Sequence, residues 1–154
     1  MRILVAVDLS PVSEPLVRFA ADLASQVGGE LILVHAYSAE EAAAAQQEAG
    51  LFLDRYIEHL RGEVNYLLMK SGPVLGRART DIIEGHPVET IVSVASHDHA
   101  DLIVMGTHGR TGLPRLLVGS VAEGVLRKAP CPVTVVPYHI LFGGTREAVA
   151  RSTV

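Results

Sequence analysis

Four short apolar runs constrain the fold of this chain more than any other feature. They occupy residues 3–7, 31–34, 101–105 and 133–136, and each is bounded by Gly, Pro or a polar residue. Runs of this length without alternation are typical of strands that are buried on both faces. Weak alternation over residues 77–83 predicts a fifth strand at a half-covered edge.

Helical periodicity fills the segments between the runs. Apolar residues recur at spacings of three and four in residues 16–27, 53–68, 88–95 and 121–126. Two other segments are less clear. Residues 39–50, rich in Ala, Glu and Gln, are either an exposed start of the second helix or a mobile loop, and residues 145–154 are predicted to form a short helix.

Strands that alternate with helices predict an α/β fold with a parallel sheet and helices on both faces, joined by right-handed crossovers. A length of 154 residues fits one domain. Hydrophobic residues make up 49% and aromatic residues only 5%, so the core is expected to be aliphatic.

Composition also argues against several functions. The net charge of −4 provides no basic surface for nucleic acid. No uninterrupted apolar stretch reaches the ~18 residues that a membrane span needs, and residues 1–8 do not resemble a signal peptide, so we expect a cytoplasmic protein without membrane contact. Cys131 is the single cysteine, which excludes an internal disulfide and a cysteine metal site.

The stretch 105–120 carries the strongest functional signal. It leaves the end of a predicted central strand and enters a helix, which is where open α/β sheets bind ligands. Gly106 and Gly109 lack a Cβ, so the backbone there can approach a ligand. Gly119 and Ser120 then open a helix whose first amides and positive dipole end favour phosphate.

Structural alternatives exist for these residues. Ser120 and Glu123 have the spacing of a capping box, and the glycines could simply form turns. Asp8, at the end of the first predicted strand, is either a ligand contact or a cap for the following helix. We expect His35, at the end of the second strand, to be a packed or hydrogen-bonded structural histidine. The chain has no P-loop motif and no GxGxxG after its first strand.

Gly106, Gly109, Gly119 and Ser120 fit the spacing G-x2-G-x9-G-(S/T), in which the sequence resembles the universal stress proteins of the single-domain, ATP-binding type. Residues 5–10, 33–36, 101–109 and 129–133 add to the resemblance, which covers about residues 1–137. We expect residues 138–154 to be an extension that packs on this domain or on a dimer partner.

The resemblance implies a five-stranded parallel sheet in the order 3-2-1-4-5. It also implies a site residue by residue. Asp8 and the Ala36 backbone would meet the adenosine end, and Met105 and Gly106 would line the ribose and phosphate side. The phosphates would be held by Gly109, Gly119, Ser120 and Val121, with Ser10 and His108 as weaker candidates.

The implied function is a cytoplasmic ATP-binding regulator of the stress response, with at most slow hydrolysis. No catalytic constellation and no protein metal site can be assigned, and Mg²⁺, where it accompanies ATP, would keep mostly water and phosphate ligands. The alternatives are an ATP-cleaving enzyme of the same fold and a nucleotide-free dimeric interaction module. The family often dimerises through its fifth strand, so we expect a homodimer that pairs residues 133–136.

Overall fold

The computed structural model describes residues 1–72, 77–107 and 118–142. Its five strands form one parallel sheet in the order β3-β2-β1-β4-β5, which confirms the predicted fold. The strands are β1 (Arg2–Ala6), β2 (Glu30–Tyr37), β3 (Ala78–Glu84), β4 (Leu102–Gly106) and β5 (Val133–Val136). The helices are α1 (Ser13–Val27), α2 (Ala39–Ala49), α3 (Leu53–Lys70), α4 (Pro87–His97), α5 (Ser120–Lys128) and α6 (Tyr138–Leu141).

Two hydrophobic clusters lie on opposite faces of the sheet and explain the apolar runs. In β1, Ile3 and Val5 enter the cluster that contains the buried residues of α1, whereas Leu4 enters the cluster that contains those of α4 and α5. All three side chains are fully buried. A strand covered on both faces needs an apolar residue at every position, so alternation is lost. In β3 every side chain is at least partly accessible, as expected for a half-covered edge.

Residues 39–50 differ from both sequence predictions. They form neither a loop nor the start of the following helix, because α2 is a separate helix that ends at Gly50 with φ 66°. Ser38 accepts a hydrogen bond from the Glu41 amide, and the Glu41 carboxylate accepts one from the Ser38 amide. This capping box begins the helix although none of its residues is buried.

The C-terminal segment begins with the short helix α6. The helix predicted over residues 145–154 lies outside the described residues, whereas α6 was not predicted. Leu141 packs against the cluster beneath α1, while Tyr138, Ile140 and Phe142 are about half exposed. Within the described ranges, no helix is both long and apolar enough to cross a membrane.

Two helical glycines form a matched pair for testing the packing of α5 on α4. A Cβ added at Gly124 would lie 2.7 Å from Cγ2 of Val88, whereas one added at Gly62 would meet nothing within 4 Å. We expect Gly62→Ala to stabilise the protein by up to ~1 kcal/mol through helix propensity. Gly124→Ala should destabilise it by about 1–2 kcal/mol, because Val88 is buried in a close-packed core. Urea unfolding of both variants measures the difference.

The control for this clash is the double variant Gly124→Ala with Val88→Ala. Removal of the valine methyl groups should make the effect of the added alanine favourable, so that the two changes are strongly non-additive. Equal stabilisation by the two single glycine replacements would contradict the close approach of α5 to α4.

Candidate functional site

A crevice opens at the carboxyl edge of the sheet because β1 and β4 separate there. Their ladder has three pairs and stops at Val5–Val104. Beyond that point β4 continues to pair with β5, as far as Gly106–Val136, and β1 continues to pair with β2, as far as Ala6–Val34. The connections of β1 and β4 lead to opposite sides, which makes this the topological switch point at which open sheets bind ligands.

The β2 wall of the crevice presents backbone groups of Ala36. Val34 faces β1, since its carbonyl accepts the Val7 amide at 3.0 Å, whereas the Tyr37 carbonyl faces away from β1 and accepts from Gly85 at 2.9 Å. Because successive residues of a strand point their backbone groups to opposite edges, Ala36 faces the same side as Val34. Its N–H and C=O are therefore directed toward the crevice, beyond the last β1–β2 pair.

His35 and Tyr37 flank Ala36 and are both buried. Nδ1 of His35 lies 2.9 Å from the Val7 carbonyl oxygen, which confirms the prediction of a hydrogen-bonded histidine. The Tyr37 ring meets the Tyr56 ring edge-on, with centroids 5.7 Å apart. Burial, and to a smaller extent the charge of Glu84, raises the pKa of Tyr37, so this residue stays a neutral phenol.

Asp8 follows β1 and is built into the turn that leads to α1. Its Oδ1 accepts hydrogen bonds from the Ser10 amide at 3.0 Å and from the Ser13 hydroxyl at 3.2 Å. The capping alternative is wrong in its simple form, because Val12 is the N-cap of α1 and makes no side-chain cap. Oδ2 of Asp8 forms no hydrogen bond to the described residues, so this oxygen remains for a ligand.

Ser10 contributes a buried hydroxyl to the same turn. Its Oγ is inaccessible to solvent and forms no hydrogen bond within the part of the chain that the structure describes. A buried hydroxyl without a partner costs about 1–3 kcal/mol. The hydroxyl is therefore a candidate donor to a bound molecule, and the ligand role predicted for Ser10 stays a prediction.

The start of α5 faces the crevice from the β4 side. Gly119 is the N-cap and Ser120 the first helical residue, so the predicted capping box with Ser120 as the cap is wrong. The Gly119 amide donates to the Thr107 carbonyl at 2.8 Å, and the Glu123 amide donates to the Gly119 carbonyl at 2.9 Å. Helix geometry leaves the amides of Ser120, Val121 and Ala122 without intrahelical acceptors.

The need for glycine at position 119 has a specific structural cause. A Cβ there would lie 2.9 Å from the Thr107 carbonyl oxygen. The backbone at Gly119 is extended, with φ −61° and ψ 156°, so conformational freedom is not the reason. Gly119 lets α5 begin directly against the end of β4.

Five of the eight predicted site residues lie at the carboxyl edge and are at least partly exposed, so each has a polar group that a ligand can reach: Asp8, Ala36, Gly106, Ser120 and Val121. Met105 is buried in the core, so only its backbone can face a ligand. Gly119 acts through packing, while Gly109 and His108 lie outside the described residues. Sequence analysis missed Ser13 and Thr107, although a second serine five residues after Asp8 was a readable signal.

The described residues provide no protein metal centre. No group of three His, Cys, Asp or Glu side chains in these ranges could hold an ion. A Mg²⁺ ion at this crevice fits only as a companion of phosphate, with water and phosphate oxygens as its main ligands.

A cavity of about 550 Å³ lies at the opposite, amino edge of the sheet. It is lined by the starts of the first three strands and the end of α4, including Arg2, Arg79 and Asp98. Arg79 binds the carboxylates of Asp81 and Asp98. Burial would raise the pKa of Asp98, but the hydrogen bonds from His97 and Arg79 outweigh it and lower this pKa. Most of the charged side chains that line the cavity are therefore already in ion pairs, and the carboxyl edge is the better candidate site.

Comparisons with known proteins point to one family. The family model "Universal stress protein family" matches residues 1–137. The universal stress protein Rv2005c of Mycobacterium tuberculosis is 38% identical over 141 residues, which cover 86% of this chain and 44% of that protein. The first curated relatives are covered over only 35% and 44% of their own lengths, so this chain spans less than half of each.

Solved structures show the same fold. The protein MJ0577 of Methanocaldococcus jannaschii superposes with a TM-score of 0.75 at 29% identity, over 88% of this chain and 94% of that one. A universal stress protein of Archaeoglobus fulgidus in complex with dAMP superposes with a TM-score of 0.64 at 25% identity, over 88% and 96%.

The contact between Gly119 and Thr107 predicts a stability effect that is independent of any ligand. Gly119→Ala should destabilise the protein by about 1–3 kcal/mol, because the new methyl group must displace a backbone carbonyl. Ser120→Ala is the matched control, because its exposed hydroxyl forms no bond to the described residues, and its stability should stay within about 0.5 kcal/mol of wild type. Chemical denaturation measures both, and a neutral Gly119→Ala would contradict the packing role.

Proposed function

Because this chain belongs to the universal stress protein family, we propose that it is a cytoplasmic ATP-binding regulator of the stress response. ATP lies in the crevice between β1 and β4, and its binding biases conformation or partner choice. The observation that carries the proposal is that the β1–β4 ladder ends at Val5–Val104, beside amides at the start of α5 that have no intrahelical acceptor.

The β2 side of the crevice suits an adenine base. The N–H of Ala36 can donate to a ring nitrogen, while its C=O can accept from the neighbouring exocyclic amino group. Adenine offers this combination of a ring-nitrogen acceptor beside an amino donor. Oδ2 of Asp8 is available for the adenosine end as well, since Oδ1 is already held by Ser10 and Ser13.

The α5 side suits the phosphates. Three amides without intrahelical acceptors and the positive end of the helix dipole favour a chain of negative charge. The Ser120 hydroxyl adds a donor, and the backbones of Met105 and Gly106 lie at the adjacent strand end. The family resemblance assigns Gly109 to the same phosphates. The related Archaeoglobus fulgidus protein is in complex with dAMP, which supports an adenine nucleotide ligand.

We assign no catalytic residue to the crevice. Fast phosphoryl transfer requires an oriented attacking water and charge stabilisation beyond the phosphate cradle. In the described ranges the crevice offers amides, hydroxyls and the carboxylate of Asp8, a donor set that suits binding. Hydrolysis is therefore expected to be slow, and a steady-state ATPase assay measures it.

A proline at position 120 tests the phosphate end without breaking the helix. Proline is favoured at the first helical position, and the extended backbone of Gly119 fits a residue that precedes proline. Ser120→Pro removes one amide donor and the hydroxyl, and should weaken ATP binding at least about tenfold, or 1.4 kcal/mol. Ser120→Ala, which keeps the amide, should weaken it by less. Isothermal titration calorimetry compares the variants.

The same titrations with adenosine give the complementary control. Adenosine lacks the groups that α5 recognises, so it should bind more weakly than ATP and be indifferent to Ser120→Pro. Equal ATP affinity in wild type and Ser120→Pro would place the phosphates elsewhere and contradict the site.

We further propose that the protein is a homodimer that pairs β5 with its copy. β5 ends the sheet, so one row of its backbone groups is unpaired within the described part of the chain. Next to it, the Tyr138 and Phe142 rings stack at 4.3 Å, and both are about half exposed together with Ile140. A two-fold axis would cover the strand edge and this apolar surface at once.

Ile140→Asp should shift the dimer toward monomer, because a charge would be buried in the proposed interface without a partner. Phe52→Asp is the control, since Phe52 is an even more accessible apolar residue next to α3, away from β5. Sedimentation velocity should show dissociation of the first variant alone. A monomeric wild type at tens of micromolar, roughly the range for a micromolar dimer, would overturn the dimer.

A further inference from the structure

The β1–β2 ladder stops halfway through one residue pair. After Ala6–Val34 the next pair would be Val7–His35, which requires two hydrogen bonds in a parallel sheet. The Val7 amide would donate to the Val34 carbonyl, and the Ala36 amide would donate to the Val7 carbonyl. The first bond is present at 3.0 Å, whereas the second is absent from the hydrogen bonds between described residues.

The His35 side chain takes the place of the missing bond. Its Nδ1 lies 2.9 Å from the Val7 carbonyl oxygen, and the residue is only 3% exposed. A carbonyl oxygen can only accept, so Nδ1 carries the proton and donates. Val7 is thus held to β2 by its amide and by an imidazole, instead of by two backbone bonds.

The backbone of Ala36 is the group released by this substitution. Its N–H and C=O face the side on which β1 lies, as those of Val34 do. The chain that follows β1 turns away from β2 at Leu9, where φ is 61°. Ala36 is partly exposed, so water can satisfy both groups until a ligand displaces it.

We propose that His35 is a positioning residue that ends the β1–β2 ladder at Val7 and thereby keeps the Ala36 N–H and C=O available to read the base. The structural half of this inference, that His35 ends the ladder, rests on the hydrogen bonds alone. Its functional half, that Ala36 reads the base, rests on the proposed nucleotide binding. It makes His35 a determinant of base binding, because the free N–H and C=O of Ala36 can pair with the acceptor ring nitrogen and the donor amino group of adenine.

A purely structural histidine would have a different consequence. If His35 only fills space, its replacement by a ring of similar size leaves Ala36 unchanged. If it occupies the Val7 carbonyl, its replacement by phenylalanine frees that oxygen, and the Ala36 amide closes the ladder. His35→Phe and His35→Asn therefore form an informative pair, because asparagine retains an N–H donor near the position of Nδ1.

Amide hydrogen exchange followed by NMR tests the structural half without any ligand. In the wild type, the Ala36 amide should exchange at least about tenfold faster than the Val34 amide, which belongs to the ladder. In His35→Phe the Ala36 amide should become protected, while His35→Asn should resemble wild type. Equal protection of Ala36 and Val34 in the wild type overturns the proposal, even where neither variant folds.

Calorimetry with ATP and inorganic tripolyphosphate tests the functional half. His35→Phe should weaken ATP binding at least about tenfold, with tripolyphosphate affinity unchanged. Parallel losses for ATP and tripolyphosphate would mean general disruption and overturn the positioning role. A wild type that shows fast Ala36 exchange but binds no ATP would refute the proposed function and the base-reading role, and leave the ladder ending intact.

Discussion

The pairing of β1 on both of its edges is the constraint on which the rest of the molecule depends. β1 lies between β2 and β4, and its side chains enter both hydrophobic clusters, so it belongs to the core in every direction. A strand so placed cannot bind a ligand along its length. It can do so only where its ladders end, and they end at Val5–Val104 on one side and at Val7 on the other. The crevice is the consequence of these two endings.

The elements that depend on hydrophobic pattern were predictable from the sequence, and those that depend on local polar contacts were not. The apolar runs located four strands, because burial on both faces excludes polar residues, and weak alternation located β3 at the half-covered edge. The last three residues of β2 were missed, since His35 interrupts the run although it is buried in the sheet. α2 was not predicted as a separate helix for a similar reason: it buries no residue and begins at a capping box, which hydrophobic periodicity does not detect.

In the candidate site, too, the sequence predicted the location of an element but not the local polar contacts. The glycine spacing correctly indicated the β4–α5 junction, but it could not show that Gly119 is needed for contact with the Thr107 carbonyl. Sequence also could not distinguish which oxygen of Asp8 is occupied, because this depends on how the turn at Leu9 brings Ser10 and Ser13 back to the carboxylate. The positive φ of Leu9 costs of the order of 1 kcal/mol. Packing of its side chain against the core and the bonds of Asp8 hold the turn in place.

Two backbone hydrogen bonds join the proposed phosphate site at α5 to the proposed dimer edge at β5. The Gly119 amide donates to the carbonyl of Thr107, and the Thr107 amide donates to the carbonyl of Val136, the last residue of β5. One residue therefore lies between the helix start that would hold phosphate and the strand that would pair with a second copy. A ligand that displaces the start of α5 must either stretch the bond at Gly119 or move Thr107, and moving Thr107 acts directly on the end of β5. Regulation of assembly by a nucleotide would in this protein need no long pathway, because two backbone hydrogen bonds span the distance.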